Sequence, residues 1–162
     1  MNDCCTIKKP AMEFTCPRTG TKGTPVKNQL VHFKVQGKYQ HLIDSKQAYR
    51  FCNDADCEVV YFGDGGSLIL KEHLAEPVGI KEFGKAPDYP VCHCFNFKKS
   101  DIQSEFEKSE NFTIPTQISV YIKEQLCACE VRNPSGKCCL GFVNKVVKAV
   151  KANWSLYDIH GV

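Results

Sequence analysis

The chain has 162 residues, of which 43% are hydrophobic and 24% charged, and its formal net charge is +3. This length suits one ordinary domain or two small ones. The lysines are scattered among acidic residues, which argues against nucleic-acid binding. No apolar run is long enough for a membrane helix, and residues 1–10 lack the apolar core of a signal peptide. We therefore expect a cytoplasmic protein that does not insert into membranes.

The first half of the chain has the pattern of short strands and turns. Alternation over Val31–Val35 predicts a half-buried strand. Glu58 to Phe62 and Ser67 to Leu70 flank a glycine-rich segment, which predicts a β-hairpin. The polar segment from Glu82 to Pro90 is the best candidate for a boundary between two modules.

The second half has the pattern of helices. Ser100, with Gln103 three residues later, predicts a capped helix from about Asp101 to Ser109. Pro115 suits the first turn of a second helix, and a third is expected to begin near Cys139. The second and third helices carry apolar residues at helical spacing, namely Ile118, Tyr121, Ile122 and Leu126, then Val143, Val146, Val147 and Val150. We predict an α+β fold with a small β-rich module over 1–82, a helical module over 83–152 and a C-terminal tail over 153–162.

Eleven cysteines are the most informative feature of the composition. Thiols stay reduced in the cytosol, and an odd number cannot pair completely within one chain, so metal binding is the favoured use. No phosphate loop, nucleophile elbow or His-Glu-x-x-His motif occurs. We therefore expect a metal-binding protein and not an enzyme.

The cysteines of the second half have a bipartite spacing. Cys92 and Cys94 precede Cys129 and the Cys138-Cys139 pair by about 35 residues or more. Four thiolates complete a two-iron cluster, but they also suit one tetrahedral zinc ion. Residue chemistry alone does not choose Cys129 over Cys127, or Cys139 over Cys138. If a cluster forms, we expect the amides at the two helix starts that follow Cys94 and Cys139 to donate to its sulfurs.

Several strings of the sequence resemble the N-terminal module of CopZ-type copper metallochaperones over about residues 14–150. They are Phe51-Cys52-Asn53-Asp54-Ala55-Asp56-Cys57, Val78-Gly79-Ile80-Lys81-Glu82, Pro90-Val91-Cys92-His93-Cys94 and Cys129-Glu130-Val131-Arg132-Asn133-Pro134-Ser135-Gly136-Lys137-Cys138-Cys139. The second half is also similar to the bacterioferritin-associated ferredoxin domain. The resemblance implies a zinc-binding module followed by a [2Fe-2S] module.

The family pattern also implies ligands for both centres. It assigns the [2Fe-2S] cluster to Cys92, Cys94, Cys129 and Cys139, and the zinc ion to Cys16, Cys52 and Cys57. The family has Cys-Pro-x-Cys-Gly where this chain has Cys16-Pro17-Arg18-Thr19-Gly20, so one zinc ligand is replaced by Thr19. The fourth ligand is left open among Cys4, Cys5, His32 and water, and a module that folds without metal is the alternative.

The resemblance implies a redox-active metallochaperone component that acts in copper handling. The sequence has no Cys-x-x-Cys, so copper would be reduced by the cluster or held at Cys4 and Cys5. A separate copper-binding protein, a copper transporter or a redox partner is the expected partner. The alternatives are an electron-transfer protein like bacterioferritin-associated ferredoxin and a zinc-stapled interaction module. His93, between two candidate ligands, either carries a proton coupled to reduction or is an exposed histidine without a role.

Overall fold

The computed structural model describes residues 14–160, with side chains to Trp154, so Cys4 and Cys5 lie outside the described residues. The first half contains an antiparallel four-stranded sheet whose strands follow the chain order. The strands are β1 (Thr24–Val26), β2 (Tyr49–Phe51), β3 (Val59–Gly63) and β4 (Leu68–Leu70). The predicted hairpin is confirmed as β3 and β4.

The predicted strand over Val31–Val35 is wrong, because this segment lies in helix α1 (Asn28–Lys34) and the residue after it. A strand would bury Val31, Phe33 and Val35 on one face. The structure instead buries Val31 and Val35, which are four residues apart, and leaves Phe33 65% exposed. Burial therefore follows the helical period, with Leu30 beside Val31.

The first half has a core between the sheet and the segments that cover it. Its buried members include Val31, Tyr49, Phe51, Tyr61 and Ile69. Two 3₁₀ turns, Gly37–Leu42 and Lys71–His73, follow α1 and β4. Strand β3 is buried along its whole length, so the sheet is covered on both faces at this strand.

The second half is mainly helical and has its own core. The one-turn helix α2 (Gly79–Glu82) leads into a two-stranded hairpin of β5 (Pro90–Cys92) and β6 (Phe97–Lys98). Helices α3 (Lys99–Ser109), α4 (Ile114–Lys123), α5 (Cys129–Arg132) and α6 (Leu140–His160) follow. Ile102, Ile118, Val143 and Val146 meet in this core. The strands and helices together confirm the α+β class.

The three predicted helices are present, with one correction at the start of α3. The cap is at Lys98, whose N–H donates to the Asp101 carboxylate at 2.7 Å, and not at Ser100. The Ser100 N–H and hydroxyl both donate to Asp88, at 2.9 and 3.1 Å. The Ser100 N–H at this helix start therefore donates to Asp88 and not to a cluster sulfur. At the other end of the chain, α6 continues through the predicted tail to His160.

Several contacts join the halves, among them a buried hydrogen bond and a close approach at a glycine. The Tyr61 hydroxyl on β3 donates to the Pro134 carbonyl at 2.8 Å, and this bond is buried. Gly79 on α2 packs against the Pro90 carbonyl and the Phe142 ring. Within the described residues, no helix has the length and hydrophobicity needed to cross a membrane.

Candidate metal centres

Three cysteines of the first half converge at one end of the sheet. The Sγ atoms of Cys16, Cys52 and Cys57 all lie within 4.8 Å of one another, and all three residues are buried. The Sγ atoms of Cys16 and Cys57 are 3.8 Å apart. Two sulfurs on one tetrahedral zinc ion, each bound at about 2.3 Å, would lie about 3.8 Å apart. The spacing therefore suits a tetrahedral thiolate site.

Local turns hold these thiols in place. Cys16 opens a tight turn in which the Gly20 N–H donates to the Cys16 carbonyl at 2.7 Å. Cys52 directly follows β2, and the loop from Cys52 to Cys57 returns the chain to β3. Phe14, Leu68 and other apolar side chains pack around the cluster of thiols. The site is thus built from backbone turns at the edge of an apolar core.

Hydrogen bonds and burial change the acidity of these thiols in opposite directions. Burial raises the pKa of Cys16, but hydrogen bonds from the Arg18 N–H and the Thr19 hydroxyl outweigh it and lower the pKa below its usual value. Burial raises the pKa of Cys52 to about 11. A metal ion must therefore displace protons at this site, and its affinity should increase with pH.

The fourth position of this site has no cysteine among residues 14–154. Thr19, which stands where the family has a cysteine, places its hydroxyl against Cys16 and 3.1 Å from the Thr21 hydroxyl. His32 does not join the three thiols, because its ring nitrogens contact the Gln40 amide oxygen at 2.8 Å and the Ser45 hydroxyl at 3.4 Å. Water and the two cysteines outside the described residues remain from the predicted set.

Four cysteines of the second half form two sulfur pairs. The Sγ atoms of Cys94 and Cys129 are 3.5 Å apart, and the thiols of Cys92 and Cys139 are hydrogen-bonded to each other. Cys139 also interacts electrostatically with Cys129, which brings the two pairs together. A two-iron cluster takes four thiolates, two on each iron. The paired arrangement is compatible with that demand.

Backbone amides point at the sulfurs of this group. The Ala128 N–H donates to Cys94 Sγ at 3.4 Å, and the Cys139 N–H, at the start of α6, donates to Cys129. The N–H groups of Phe95 and Cys94 in the β5–β6 turn donate to Cys92. Such donors stabilise an anionic thiolate cluster. The start of α6 thus directs an amide at a cysteine sulfur, whereas the start of α3 faces Asp88. Donation from the start of α6 to a cluster stays a prediction.

The acidity of these thiols follows from their pairing. The hydrogen bond from Cys139 lowers the pKa of Cys92 to about 7 against the effect of burial. The same bond raises the pKa of Cys139, and burial raises the pKa of Cys129 to about 12. Of Cys92, Cys129 and Cys139, Cys92 therefore loses its proton most readily.

Cys127 and Cys138 differ from the four paired cysteines in their surroundings. Cys138 is exposed, whereas Cys92, Cys129 and Cys139 are buried; Cys127 is half-buried, as Cys94 is. Cys138 precedes the first turn of α6, and Cys127 follows the end of α4. Both stay beside the group rather than within its two sulfur pairs.

The alternative that His93 is an exposed histidine is wrong, because the residue is largely buried. Its side chain is 8% exposed, and its Nδ1 lies 3.7 Å from the Glu76 carboxylate. The same carboxylate oxygen lies 3.7 Å from Lys34 Nζ. Burial, helped by the charge of Lys34, lowers the pKa of His93 to about 4. His93 thus joins the second half to α1 and the segment after β4.

Comparison with known proteins agrees with this architecture. The family model of the CopZ zinc-binding domain matches residues 13–75. The copper chaperone CopZ of Archaeoglobus fulgidus is 31% identical over 126 residues, which are 76% of this chain and 57% of that protein. The X-ray structure of the A. fulgidus CopZ N-terminal domain is similar with a TM-score of 0.65 and 27% identity, over 82% of this chain and 96% of that one.

The chain resembles the CopZ N-terminal module. The structural match covers 82% of the chain and so includes parts of both halves, whereas the family model covers the first half alone. The chain spans a little over half the length of the CopZ relative. The similarity of the second half to bacterioferritin-associated ferredoxin stays a prediction.

Sequence reasoning missed one residue beside the CopZ-type thiol site. Lys81 on α2 is fully buried and lies against the Cys52–Cys57 loop. The lysine follows the apolar stretch Val78-Gly79-Ile80, but a lone lysine is usually at the surface, so its burial was not predicted.

Proposed function

We propose that this protein carries two thiolate metal centres and acts as a redox-active component of copper handling. The observation that carries the proposal is the convergence of three buried thiols in the first half, together with two pairs of cysteine sulfurs in the second half. A metal carrier needs such sites and no catalytic constellation. The name of the A. fulgidus relative, a copper chaperone, supports the same role here.

The first centre is proposed to hold zinc at Cys16, Cys52 and Cys57. Its support is the 3.8 Å separation of two sulfurs, the burial of all three thiols and the zinc-binding family model that covers residues 13–75. A structural zinc ion stabilises a small fold directly. The zinc ion would therefore hold the Cys16 turn and the Cys52–Cys57 loop against the sheet.

The second centre is proposed to hold a [2Fe-2S] cluster at Cys92, Cys94, Cys129 and Cys139. Its support is the arrangement in two sulfur pairs and the amides directed at three of the sulfurs. The cluster supplies one-electron chemistry when bound. The protein's own part is to bury Cys92, Cys129 and Cys139 and to leave Cys94 closer to solvent, where an electron could pass to copper or to a protein partner.

Matched cysteine variants test the second centre. We expect Cys129→Ser and Cys139→Ser to lose iron, acid-labile sulfide and visible thiolate-to-iron absorption, because each removes a sulfur from one pair. Cys127→Ser and Cys138→Ser are the controls and should keep near-normal cluster content. Loss of the cluster in Cys127→Ser, with retention in Cys129→Ser, would overturn the assignment.

Copper binding separates the two leading functions. Tight, thiol-dependent binding of Cu(I), or reduction of Cu(II) by the reduced protein, supports copper handling. A cluster-loaded protein that does neither at micromolar copper would instead be an electron-transfer protein, and a separate redox partner would then be sought. A copper transporter or a copper-binding protein is the partner expected in the first case.

A further inference from the structure

Lys81 is a fully buried lysine beside the three-cysteine site. Its exposed fraction is 0%, and lysine is rarely buried to this extent unless it is paired. Among residues 14–154, no carboxylate oxygen lies within 4.0 Å of its ammonium group. The charge of this buried group is therefore left without a carboxylate partner in direct contact.

Each neighbour of the ammonium group can stabilise a cation. The Lys81 Nζ donates to the Asp54 carbonyl at 2.8 Å and to the Cys57 carbonyl at 3.2 Å. It also lies 5.4 Å from the centre of the Phe51 ring, within the range of a cation–π interaction. Both carbonyls belong to the loop that carries Cys52 and Cys57, so Lys81 also holds that loop in place.

The nearby thiols can supply the missing negative charge. Lys81 interacts electrostatically with the thiols of Cys52, Cys57 and Cys16, and also with Asp54. Burying an unpaired charge is unfavourable, so a buried ammonium group needs negative charge close by. Three thiolates around a divalent ion have a net charge of −1, which one ammonium group neutralises.

We propose that Lys81 is the counter-ion of the Cys16, Cys52 and Cys57 metal site and also positions its loop. The inference rests on the proposed metal site at these three cysteines. With a neutral fourth ligand, a zinc centre plus Lys81 has no net charge, which suits an apolar surrounding. A monovalent ion such as Cu(I) leaves the three thiolates with a net charge of −2. The positive charge of Lys81 therefore stabilises the Cu(I) complex more than the Zn²⁺ complex.

The test compares Zn²⁺ and Cu(I) affinities of the cluster-loaded full chain by competition with chromophoric chelators. Two backgrounds are used: both replace Cys127 and Cys138 with serine, and one also replaces Cys4 and Cys5, which remain candidates for the fourth ligand. We expect Lys81→Met to weaken Zn²⁺ binding about tenfold and Cu(I) binding closer to a hundredfold, the usual range for partners of metal ligands. The loss is greater for Cu(I) because the removed cation faces twice the net negative charge.

Lys85→Met is the matched control. The Lys85 Nζ donates to the Ala55 carbonyl of the same loop at 2.9 Å and lies 2.7 Å from the Asp56 carboxylate, but its side chain is 43% exposed. We expect both affinities of this variant to stay within about twofold of the background, since solvent screens its charge.

Lys81→Gln keeps a hydrogen-bond donor without the charge and serves if Lys81→Met does not fold. Affinities within twofold of the background in a folded Lys81 variant would overturn the proposal. Equal losses for Zn²⁺ and Cu(I) would also overturn it, because a purely structural effect on the loop acts on both ions alike. Absence of Zn²⁺ binding in the background that keeps Cys4 and Cys5 would instead refute the metal site itself.

Discussion

At the scale of single residues, Tyr61 connects the sheet of the first half to the candidate cluster site. Its buried hydroxyl donates to the Pro134 carbonyl at 2.8 Å. Pro134 lies in the loop between Cys129 and Cys139, and burial raises the pKa of Tyr61, so the hydroxyl remains a donor. A bond from the first half thus restrains the loop between Cys129 and Cys139 in the second half.

Tyr61→Phe should destabilise the protein by about 1–3 kcal/mol, because it leaves a buried carbonyl without its donor. It should also accelerate loss of the cluster's visible absorption in the presence of an iron chelator. Chemical denaturation and the rate of bleaching measure the two effects.

Tyr49→Phe is the control for this effect. The Tyr49 hydroxyl accepts from the Asp44 N–H at 2.9 Å, a bond that stays within the first half. We expect its bleaching rate to match the wild type. Equal bleaching of the two variants would show that Tyr61 does not act through the loop.

The residues of the candidate sites were only partly predictable from sequence. Cysteine number and spacing were enough to expect two metal-binding groups. The choice of Cys129 over Cys127 depends on which thiol faces Cys94, and that is set by the turn between α4 and α5, where Gln125 has a positive φ of 58°. The burial of Lys81 was not predicted because it depends on contacts with the Cys52–Cys57 loop, which is distant in the sequence.

At the scale of elements, helix α2 joins the halves by a close approach at Gly79. A Cβ at this position would overlap the Pro90 carbonyl oxygen and would come 2.9 Å from the Phe142 ring. Pro90 begins β5, the strand that ends in Cys92. Helix α2 can therefore pack on this strand only with glycine at position 79.

Gly79→Ala should destabilise the protein by about 1–3 kcal/mol, the usual cost of overpacking. Gly141→Ala in α6 is the matched control, because a Cβ there meets nothing within 4 Å. It should leave stability unchanged or raise it by roughly 0.5–1 kcal/mol through helix propensity. Denaturant midpoints measure both, and a Gly79→Ala variant as stable as wild type would contradict the packing described.

Elements with strong periodic signals were predictable, and short elements were not. The valines of α6 and the glycine-rich hairpin turn identified their elements correctly. The alternation in Val31–Val35 misled because a valine pair four residues apart fits a helix as well as a strand. The β5–β6 hairpin was missed because its strands have only three and two residues, too few for a period to be detected.

At the scale of the whole molecule, the described residues form three small buried clusters: one under the sheet, one around the three thiols of the first half, and one in the helical half that includes Cys92 and Cys139. Small cores are marginally stable by themselves and commonly need metal ions or other cross-links. The fold class was predictable because strand and helix signals separate along the chain. The contact between the halves was not predictable. It depends on a tyrosine hydroxyl, a loop carbonyl and a glycine, and these three groups form no recognisable sequence pattern.

The most direct test of the two-centre account is the content of iron, acid-labile sulfide and zinc per chain after anaerobic purification. We predict about two iron, two sulfide and one zinc. Zinc without iron or sulfide, in protein never exposed to oxygen, would contradict the proposed cluster and leave a zinc-stapled interaction module.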